Sequence, residues 1–334
     1  MTKMSDVAKL AKVSTATVSR VLQKPETVKE ETKQKVLEVI RELDYQPNML
    51  ARNFRRLETK TILVVMPSIL NNVFSQIIVG IDYEATKNGY QVILGNTMQD
   101  EQRAHSLIKH LKQKQVDGMI LLTARLDFKE LVKLAEEYSV VLVSDYLENN
   151  KVVPTVGIDN MKESYRITEH LIKLGHTKIA HISGLLDMSI SRDRLSGYQK
   201  ALMDHDLPIE FDYLTKGDYS FQSGYDNMLS LLELKYPPTA VVAASDRMAM
   251  GAIKAAKEKG VLVPNNLAVV GFDDIEFSKL FEPALTTVAQ PFFEMGKTAM
   301  SLLQQQIAGE QIKNNLVLLK SELKIRESCG FNLK

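Results

Sequence analysis

Residues 5–22 read SDVAKLAKVSTATVSRVL, and this stretch predicts two short helices separated by a tight break. Ser5 is the expected N-cap of the first helix. Val13 and Ser14 make the break, and Ser14 is the expected N-cap of a second helix over residues 15–22. The apolar face of the first helix is expected to consist of Val7, Ala8, Leu10 and Ala11.

Small polar residues open the second of these helices. In a helix-turn-helix, such residues enter the major groove of DNA while the first helix crosses the backbone. Thr15 and Ala16 would face base edges, because they stand first on the helix. Four further side chains could reach phosphates or a guanine edge. These are Ser14, Thr17, Ser19 and Arg20.

A third helix is expected over residues 29–43 and is ended by Tyr45-Gln46-Pro47. Residues 48–56, NMLARNFRR, have a helical pattern but are too few to form a stable helix alone in water. They could become ordered on contact with a partner. The buried stripe of the third helix is expected to consist of Val36, Leu37, Val39, Ile40 and Leu43.

From Thr61 the pattern changes to apolar, strand-like runs that alternate with amphipathic segments. Near-continuous apolar strands are typical of parallel sheets covered on both faces. There are more strands than one small sheet needs, so two doubly wound lobes are expected, with a ligand between them at the carboxyl ends of the strands. The strand candidates are residues 61–66, 90–94, 118–122, 140–143, 178–182, 240–243 and 268–270.

Charge is distributed unevenly along the 334 residues. The first 60 residues hold 13 lysines and arginines against 8 aspartates and glutamates, whereas the rest hold 29 against 33. A basic head on a slightly acidic body fits a small DNA-reading module, because neutralising phosphates supplies most non-specific affinity. A chance surface imbalance is the alternative.

Composition excludes several classes of protein. Hydrophobic residues make up 45% and charged residues 25% of the chain, which is the balance of a globular protein. No apolar run reaches membrane-spanning length, and the N-terminus lacks the apolar segment of a secretory signal. The expected location is therefore the cytoplasm, without membrane association. Cys329 is the single cysteine, which fits a reducing compartment.

An enzyme is not indicated. No HExxH, GxSxG, CxxC or GxxxxGKS/T run occurs, and the six histidines lack metal-ligand spacing, so neither a metal nor a cofactor is expected. The neighbouring acids Asp273 and Asp274 would point in different directions and could not flank one glycosidic bond. A stand-alone sugar-binding protein is the remaining alternative, but it would require export.

Several blocks along the chain closely resemble the LacI/GalR family of bacterial repressors. The resemblance implies an α/β protein with an all-α helix-turn-helix head, residues 1–58, and a sensor, residues 60–334. The sensor would resemble periplasmic binding proteins, with two lobes built on doubly wound parallel sheets. Its N-lobe would span about 60–160 plus 291–321, and its C-lobe about 161–290 plus 322–334. Besides 5–22, the matching blocks are 44–48, 51–52, 174–176, 194–198, 237–241, 245–252, 270–274, 283–288 and 290–291.

The resemblance also implies a homodimer that reads both halves of a palindromic double-stranded operator. Residues 48–56 would form a hinge helix in the minor groove. Phe54 would act as an apolar wedge between base pairs, the alternative being that it packs on the sensor. Tyr45, Asn48 and Arg52 are the other expected DNA-binding residues in this part of the chain.

For the sensor, the resemblance implies a small-molecule effector, either a sugar or a nucleoside. Arg194 would grip ligand hydroxyls and Asp273 would accept their hydrogen bonds, whereas a buried ion pair between the two is the alternative. Tyr219 would stack on the ligand. Asn71 and Phe74, after the first strand, and Ser245 complete the expected effector site. Whether the effector induces or corepresses is left open.

Overall fold

The computed structural model describes residues 2–45, 58–123, 127–146 and 152–331. Contacts between residues divide the chain into two units, one ending at Thr59 and the other beginning at Lys60. The predicted hinge helix, with Asn48, Arg52 and Phe54, lies outside the described residues.

In residues 2–45, the part of the head that the structure describes, there are three helices, α1 (Met4–Ala11), α2 (Thr15–Gln23) and α3 (Glu30–Glu42), with a 3-10 turn at Pro25–Thr27. Their apolar faces meet in a small core, which explains how so short a segment holds a fold. Tyr45 closes this core behind α3. The buried members are Val7, Ala8, Ala11, Val18, Val21, Val36, Val39 and Tyr45.

Two expectations for α1 are wrong. The helix begins at Met4 with Lys3 as N-cap, not Ser5, because the Asp6 carboxylate accepts a hydrogen bond from the Lys3 amide at 2.8 Å. Leu10 is 48% exposed rather than buried. At 100° per residue it lies roughly 110° from the centre of the buried face. Ser14, in contrast, caps α2 as predicted, accepting from the Thr17 amide at 3.1 Å.

The N-lobe of the sensor is a six-stranded parallel sheet with helices on both faces. Its strands are β1 (Thr61–Met66), β2 (Gln91–Asn96), β3 (Gly118–Leu121), β4 (Val140–Val143), β5 (Thr155–Gly157) and β11 (Leu316–Leu318). The order is β11-β5-β4-β3-β1-β2. Helices α4 (Asn72–Lys87) and α11 (Phe292–Ile307) cover one face, and α5 (Glu101–Lys112) and α6 (Phe128–Glu137) the other.

The C-lobe is a four-stranded parallel sheet in the order β7-β6-β8-β9. Its strands are β6 (Ile179–Ser183), β7 (Leu214–Lys216), β8 (Ala240–Ala243) and β9 (Ala268–Val270). Helices α7 (Asn160–Lys173) and α8 (Ser189–Asp204) cover one face, and α9 (Phe221–Leu232) and α10 (Asp246–Glu258) the other. An antiparallel pair, β10 (Thr287–Ala289) and β12 (Glu322–Lys324), adjoins this lobe.

The chain passes between the lobes three times, near residues 158–159, 290–291 and 319–321. Each passage is short, so the two sheets stay close, with the carboxyl ends of their strands at the cleft between them. Parallel α/β sheets bind ligands at this end of their strands. The loops that follow β1, β4, β8 and β9 are therefore the candidate ligand-binding loops.

Glycines allow the helices α9 and α10 to touch backbone to backbone. A Cβ atom at Gly224 would overlap the carbonyl oxygen of Met248, and one at Gly251 would overlap that of Phe221. The contact is thus reciprocal. Neither obstacle is a flexible side chain, so the helices cannot accept a methyl group there without moving apart.

Gly251→Ala is expected to destabilise the sensor by about 1–3 kcal/mol, because the added methyl group overpacks this helix contact. Gly157→Ala, at a strand position with open space around the Cβ site, is the matched control and should change little. Urea unfolding of both variants gives the comparison. Equal stability losses would show that the helix contact is not the cause.

His181 is fully buried in β6 and stacks on Tyr198, with 5.0 Å between the ring centroids. Burial, assisted by the charge of Arg194, lowers the pKa of His181 to about 3. The folded protein therefore keeps this imidazole neutral well below the pH at which the unfolded chain protonates it.

As the pH falls below about 6.5, the unfolded chain gains a proton at this histidine that the folded chain refuses. His181 should therefore cost about 2 kcal/mol of stability on going from pH 7 to pH 5. His181→Phe keeps the ring stacking and removes the titration. Its unfolding free energy, relative to that of the parent chain, should rise by this amount over the same range. A substitution at the exposed His110 serves as control, and a pH-independent difference at His181 would contradict the assignment.

Candidate functional site

The first turn of α2 presents polar side chains to solvent on a buried apolar base. Val18 and Val21 anchor the helix in the head core. The Ser14 and Thr17 hydroxyls lie 2.9 Å apart, which fixes the start of the helix. Ser14, Thr15, Ala16 and Arg20 are exposed, and Thr17 and Ser19 are half-buried. The residues predicted to read DNA thus share one accessible face.

Lys12 sets the angle between α1 and α2. It adopts a left-handed conformation with φ 53°, and the amide of Val13 donates to Ala8 O at 3.0 Å. A lysine was not a recognisable signal for this turn, because glycine and asparagine are the usual residues in that conformation. Tyr45, predicted to bind DNA, is only 7% exposed and packs in the head core.

Arg194, on α8, is buried in the C-lobe and surrounded on every side. Its Nε donates to Asn160 Oδ1 at 2.9 Å, and one terminal nitrogen donates to Ala244 O at 2.5 Å. The same nitrogen lies 3.7 Å from Asp273 Oδ1. The guanidinium carbon sits 3.7 Å from the centre of the Phe272 ring. Two of its five N–H groups are therefore hydrogen-bonded within the protein, and the guanidinium forms an ion pair with Asp273.

Asp273 follows β9 with an unusual backbone, φ 123°, and is buried. Its carboxylate accepts from Gln290 Nε2 at 2.7 Å, and its amide donates to Val288 O at 2.9 Å. Burial raises the pKa of Asp273, while the neighbouring Arg194 opposes that rise. The ion pair with Arg194 is the arrangement given above as the alternative to an effector contact, and the effector role of both residues stays a prediction.

Tyr219 connects these groups. It is half-buried with φ 69°, and its hydroxyl lies 2.5 Å from Ser191 Oγ. A Cβ at Gly184 would overlap its ring, so the absence of a side chain there makes room for it. The charges of Arg194, Asp273 and Asp145 all act on the Tyr219 hydroxyl.

Three predicted effector residues have structural roles in the described chain. Asn71 caps α4 by accepting from the Val73 amide at 3.1 Å, and Ser245 caps α10 by accepting from Met248 at 3.3 Å. Phe74 is buried in the N-lobe core. These contacts neither require nor prevent a ligand, so the proposed effector role of the three residues is untested.

Asp145 and Tyr146, directly after β4, were missed by sequence reasoning. Tyr146 O accepts from Ser189 Oγ at 2.8 Å, and its hydroxyl donates to Asp193 Oδ1 at 2.9 Å. The N-lobe thereby touches the first turn of α8 in the C-lobe. Burial raises the pKa of Asp145 to about 6, against hydrogen bonds from backbone amides that include Ile190. Polar residues after a fully apolar strand were the signal available.

Within the described ranges, no group of three or more histidine, cysteine, aspartate or glutamate side chains is arranged to hold a metal ion. No helix among the same residues is long and apolar enough to cross a membrane.

Two family models match the chain. Residues 3–48 match the bacterial regulatory proteins of the lacI family. Residues 59–326 match the periplasmic binding proteins and sugar binding domain of the LacI family. The first match covers the helix-turn-helix and the second covers both lobes.

Individual relatives match over almost their whole length. The transcriptional repressor CytR of Escherichia coli K12 is 39% identical over 97% of this chain and 95% of its own. Catabolite control protein A of Priestia megaterium is 35% identical, covering 97% and 98% respectively. A lac repressor dimer bound to operator and the anti-inducer ONPF is 29% identical, with a TM-score of 0.90 over 98% of this chain and 99% of the other.

These relatives are regulators and repressors of transcription, not enzymes, and their likeness includes the head as well as the sensor. The helix-turn-helix with its polar face on α2, the two lobes around Arg194 and Asp273, and the match from end to end agree. The chain belongs to the LacI family of DNA-binding bacterial transcriptional regulators.

Proposed function

We propose that the head, residues 1–58, reads a palindromic operator and that the sensor, residues 60–334, controls this binding through an uncharged sugar or nucleoside in its cleft. The observation that carries the proposal is the group of buried polar side chains around Arg194, which pairs with Asp273. The hydroxyl of Tyr219, the amide of Gln290 and the ring of Phe272 lie in the same group. Titrating the protein with operator DNA, in the presence and absence of effector, tests the proposal.

In the head, α2 is the proposed recognition helix. Thr15 and Ala16 would face base edges, and Arg20 would reach a guanine or a phosphate. All three are exposed on one face of a helix whose other face is held in the core. The proposed minor-groove contacts of the hinge, Asn48, Arg52 and Phe54, are supported by the sequence pattern.

In the sensor, charge favours a neutral effector. The charges of two carboxylates, Asp145 and Asp273, act on the same tyrosine as the charge of Arg194. A phosphate group would be repelled by both acids, and Arg194 already forms an ion pair with one of them. Hydroxyl groups can donate to Asp273 and accept from Gln290, while Tyr219 offers a ring face to an apolar sugar surface or a base.

A second copy of this chain is the proposed partner of the sensor. Strand β2 lies at the edge of its sheet, and its Ile93 and Leu94 are exposed. Val79 and Tyr83, one turn apart on α4, are exposed as well. An uncovered apolar edge strand invites pairing with another chain. The matching lac repressor structure is that of a dimer.

Effector binding would act on the operator by linkage. An effector that prefers one arrangement of the lobes shifts the population of dimers competent to bind DNA. A coupling of ~1–3 kcal/mol changes operator affinity by roughly 5- to 150-fold, which suffices for a genetic switch. The proposed place of action is the cytoplasm, where the operator lies.

Arg20→Ala should weaken binding to an operator selected from random DNA by about 1–3 kcal/mol, since the substitution removes a charged donor from the groove. Fluorescence anisotropy across a salt series provides the measurement. A base contact would show as relaxed sequence preference, and a phosphate contact as a salt slope reduced by about one. Arg41→Ala, at an exposed arginine on α3, is the matched control. Unchanged operator affinity for Arg20→Ala would remove α2 from the interface.

A thermal-shift screen tests the neutrality of the effector. Paired compounds with and without phosphate are suitable, for example D-ribose with ribose 5-phosphate and cytidine with its 5′-monophosphate. An unphosphorylated effector at 100 times its Kd should stabilise the chain by about 2.7 kcal/mol. The same compound should have little effect on Asp273→Asn, which lacks the charged acceptor. Stabilisation by the phosphorylated members alone would contradict the assignment.

A further inference from the structure

Asp246, the first residue of α10, has no exposed surface. Its carboxylate accepts three hydrogen bonds from other segments. Oδ2 accepts from the Ile275 amide at 2.9 Å and from Ser278 Oγ at 2.6 Å, and Oδ1 accepts from Thr287 Oγ1 at 2.5 Å. No effector role is assigned to this buried acid, and it lies outside the contacts that hold Arg194.

The three donors belong to one excursion of the chain, from the end of β9 to β10. The Asp246 amide also donates to Phe272 O at 2.8 Å, immediately before that excursion. A Cβ at Gly271 would overlap Asp246 Oδ1, so glycine makes room for the carboxylate. Asp246 thus forms hydrogen bonds near the beginning, in the middle and at the end of the segment 271–287.

Within this segment, residues 273–281 form a turn whose backbone needs support. Asp273 and Asp274 have φ values of 123° and 58°, in the region that L side chains rarely adopt. Such a conformation persists only where surrounding contacts impose it. Gln290 holds the Asp273 side chain, and Arg326 holds Asp274 Oδ1 at 2.6 Å. The Ser278 carbonyl accepts from the Leu285 amide at 2.7 Å, and the bonds from Ile275 and Ser278 to Asp246 add the contact with α10.

The turn carries one buried acid and two exposed apolar residues. Asp273 stands at its start beside Arg194 in the cleft. Phe277 and Leu280, later in the turn, are exposed, Leu280 to 65%. Ser278 lies between these two apolar residues with no exposed surface and is bonded to Asp246. The buried carboxylate of Asp246 therefore contacts the turn that carries both Asp273 and the exposed apolar residues Phe277 and Leu280.

We infer that Asp246 is a positioning residue that holds the turn 273–281 so that Asp273 faces the effector and Phe277 and Leu280 face a second copy of the chain. The inference rests on the proposed effector role of Asp273 and the proposed dimer. Asp246 acts through hydrogen bonds rather than through its charge. An amide at position 246 can accept from Ile275 and Ser278 and donate to Thr287, whose hydroxyl also accepts.

The test compares Asp246→Asn with Asp246→Ala in the full chain. Three quantities are measured: amide hydrogen exchange over 271–281, the dimer Kd by sedimentation, and binding of D-ribose and cytidine by calorimetry. Asp246→Ala should accelerate exchange and weaken the dimer about tenfold or more, because three buried donors lose their acceptor. Asp246→Asn should stay within about threefold of the parent, since its amide rescues the geometry.

Serine variants keep the test decisive if Asp246→Ala does not fold. Ser278→Ala removes one bond to Asp246. Ser328→Ala is the matched control, a buried serine of the same lobe that donates to Val269 O at 2.6 Å and accepts from Thr286 N at 2.9 Å. Only Ser278→Ala should weaken the dimer and expose the turn to exchange. Equal effects of the two serine variants would overturn the inference, as would an Asp246→Asn variant as defective as Asp246→Ala.

Failure of the proposed function gives a different pattern. A parent chain that binds neither D-ribose nor cytidine would weaken the proposed effector class, whereas exchange over 271–281 still decides the role of Asp246. A parent chain that stays monomeric at every concentration would overturn the outward half of the inference. Loss of exchange protection in Asp246→Ala without loss of dimer would do the same.

Discussion

The burial of the Arg194 guanidinium constrains the sensor more than any other single interaction. A buried charge is costly unless its hydrogen bonds are satisfied, so every neighbouring segment must present an acceptor at the right place. Asn160 does so from α7, Ala244 from the end of β8 and Asp273 from the end of β9, while the Phe272 ring covers the guanidinium plane. Three loops that bound the cleft are thereby held by one side chain, before any effector is present.

That arrangement brings two acids, Asp246 and Asp273, into the same buried region. Burial raises the pKa of both acids, the charge of Asp273 raises that of Asp246 further, and Arg194 counters the effect at Asp273. The cluster is stable because almost every oxygen has a donor: Ile275, Ser278 and Thr287 at Asp246, and Gln290 at Asp273. The positive φ angles after β9 follow from the same requirement, since the turn must aim one carboxylate at the cleft and still reach the other.

Regular elements with strong patterns were predictable. Strands β1, β4, β8 and β9 have the predicted bounds, because each is a buried apolar run with a clear end. Strands β5, β7, β10, β11 and β12, each of three residues, were not predicted. The cap of α1 was misassigned to Ser5 because serine favours N-cap positions, whereas the hydrogen bond from the Lys3 amide to the Asp6 carboxylate accompanies a cap at Lys3. Arg194 and Asp273 were identified through a family resemblance, whereas Asp145 was overlooked among polar loop residues.

By itself, the sequence determined the helix-turn-helix, the alternation of strands and helices, the uneven charge and the family. These properties depend on local pattern and on residue order, which a chain carries before it folds. Tertiary structure alone decided which side of α1 is buried and that Lys12 makes the turn. It also decided that Tyr45 packs inside the head and that Asp246 bonds to a segment some 30 residues away. Such outcomes depend on contacts between distant residues, and the energy of a buried polar group depends on which partners the fold brings to it.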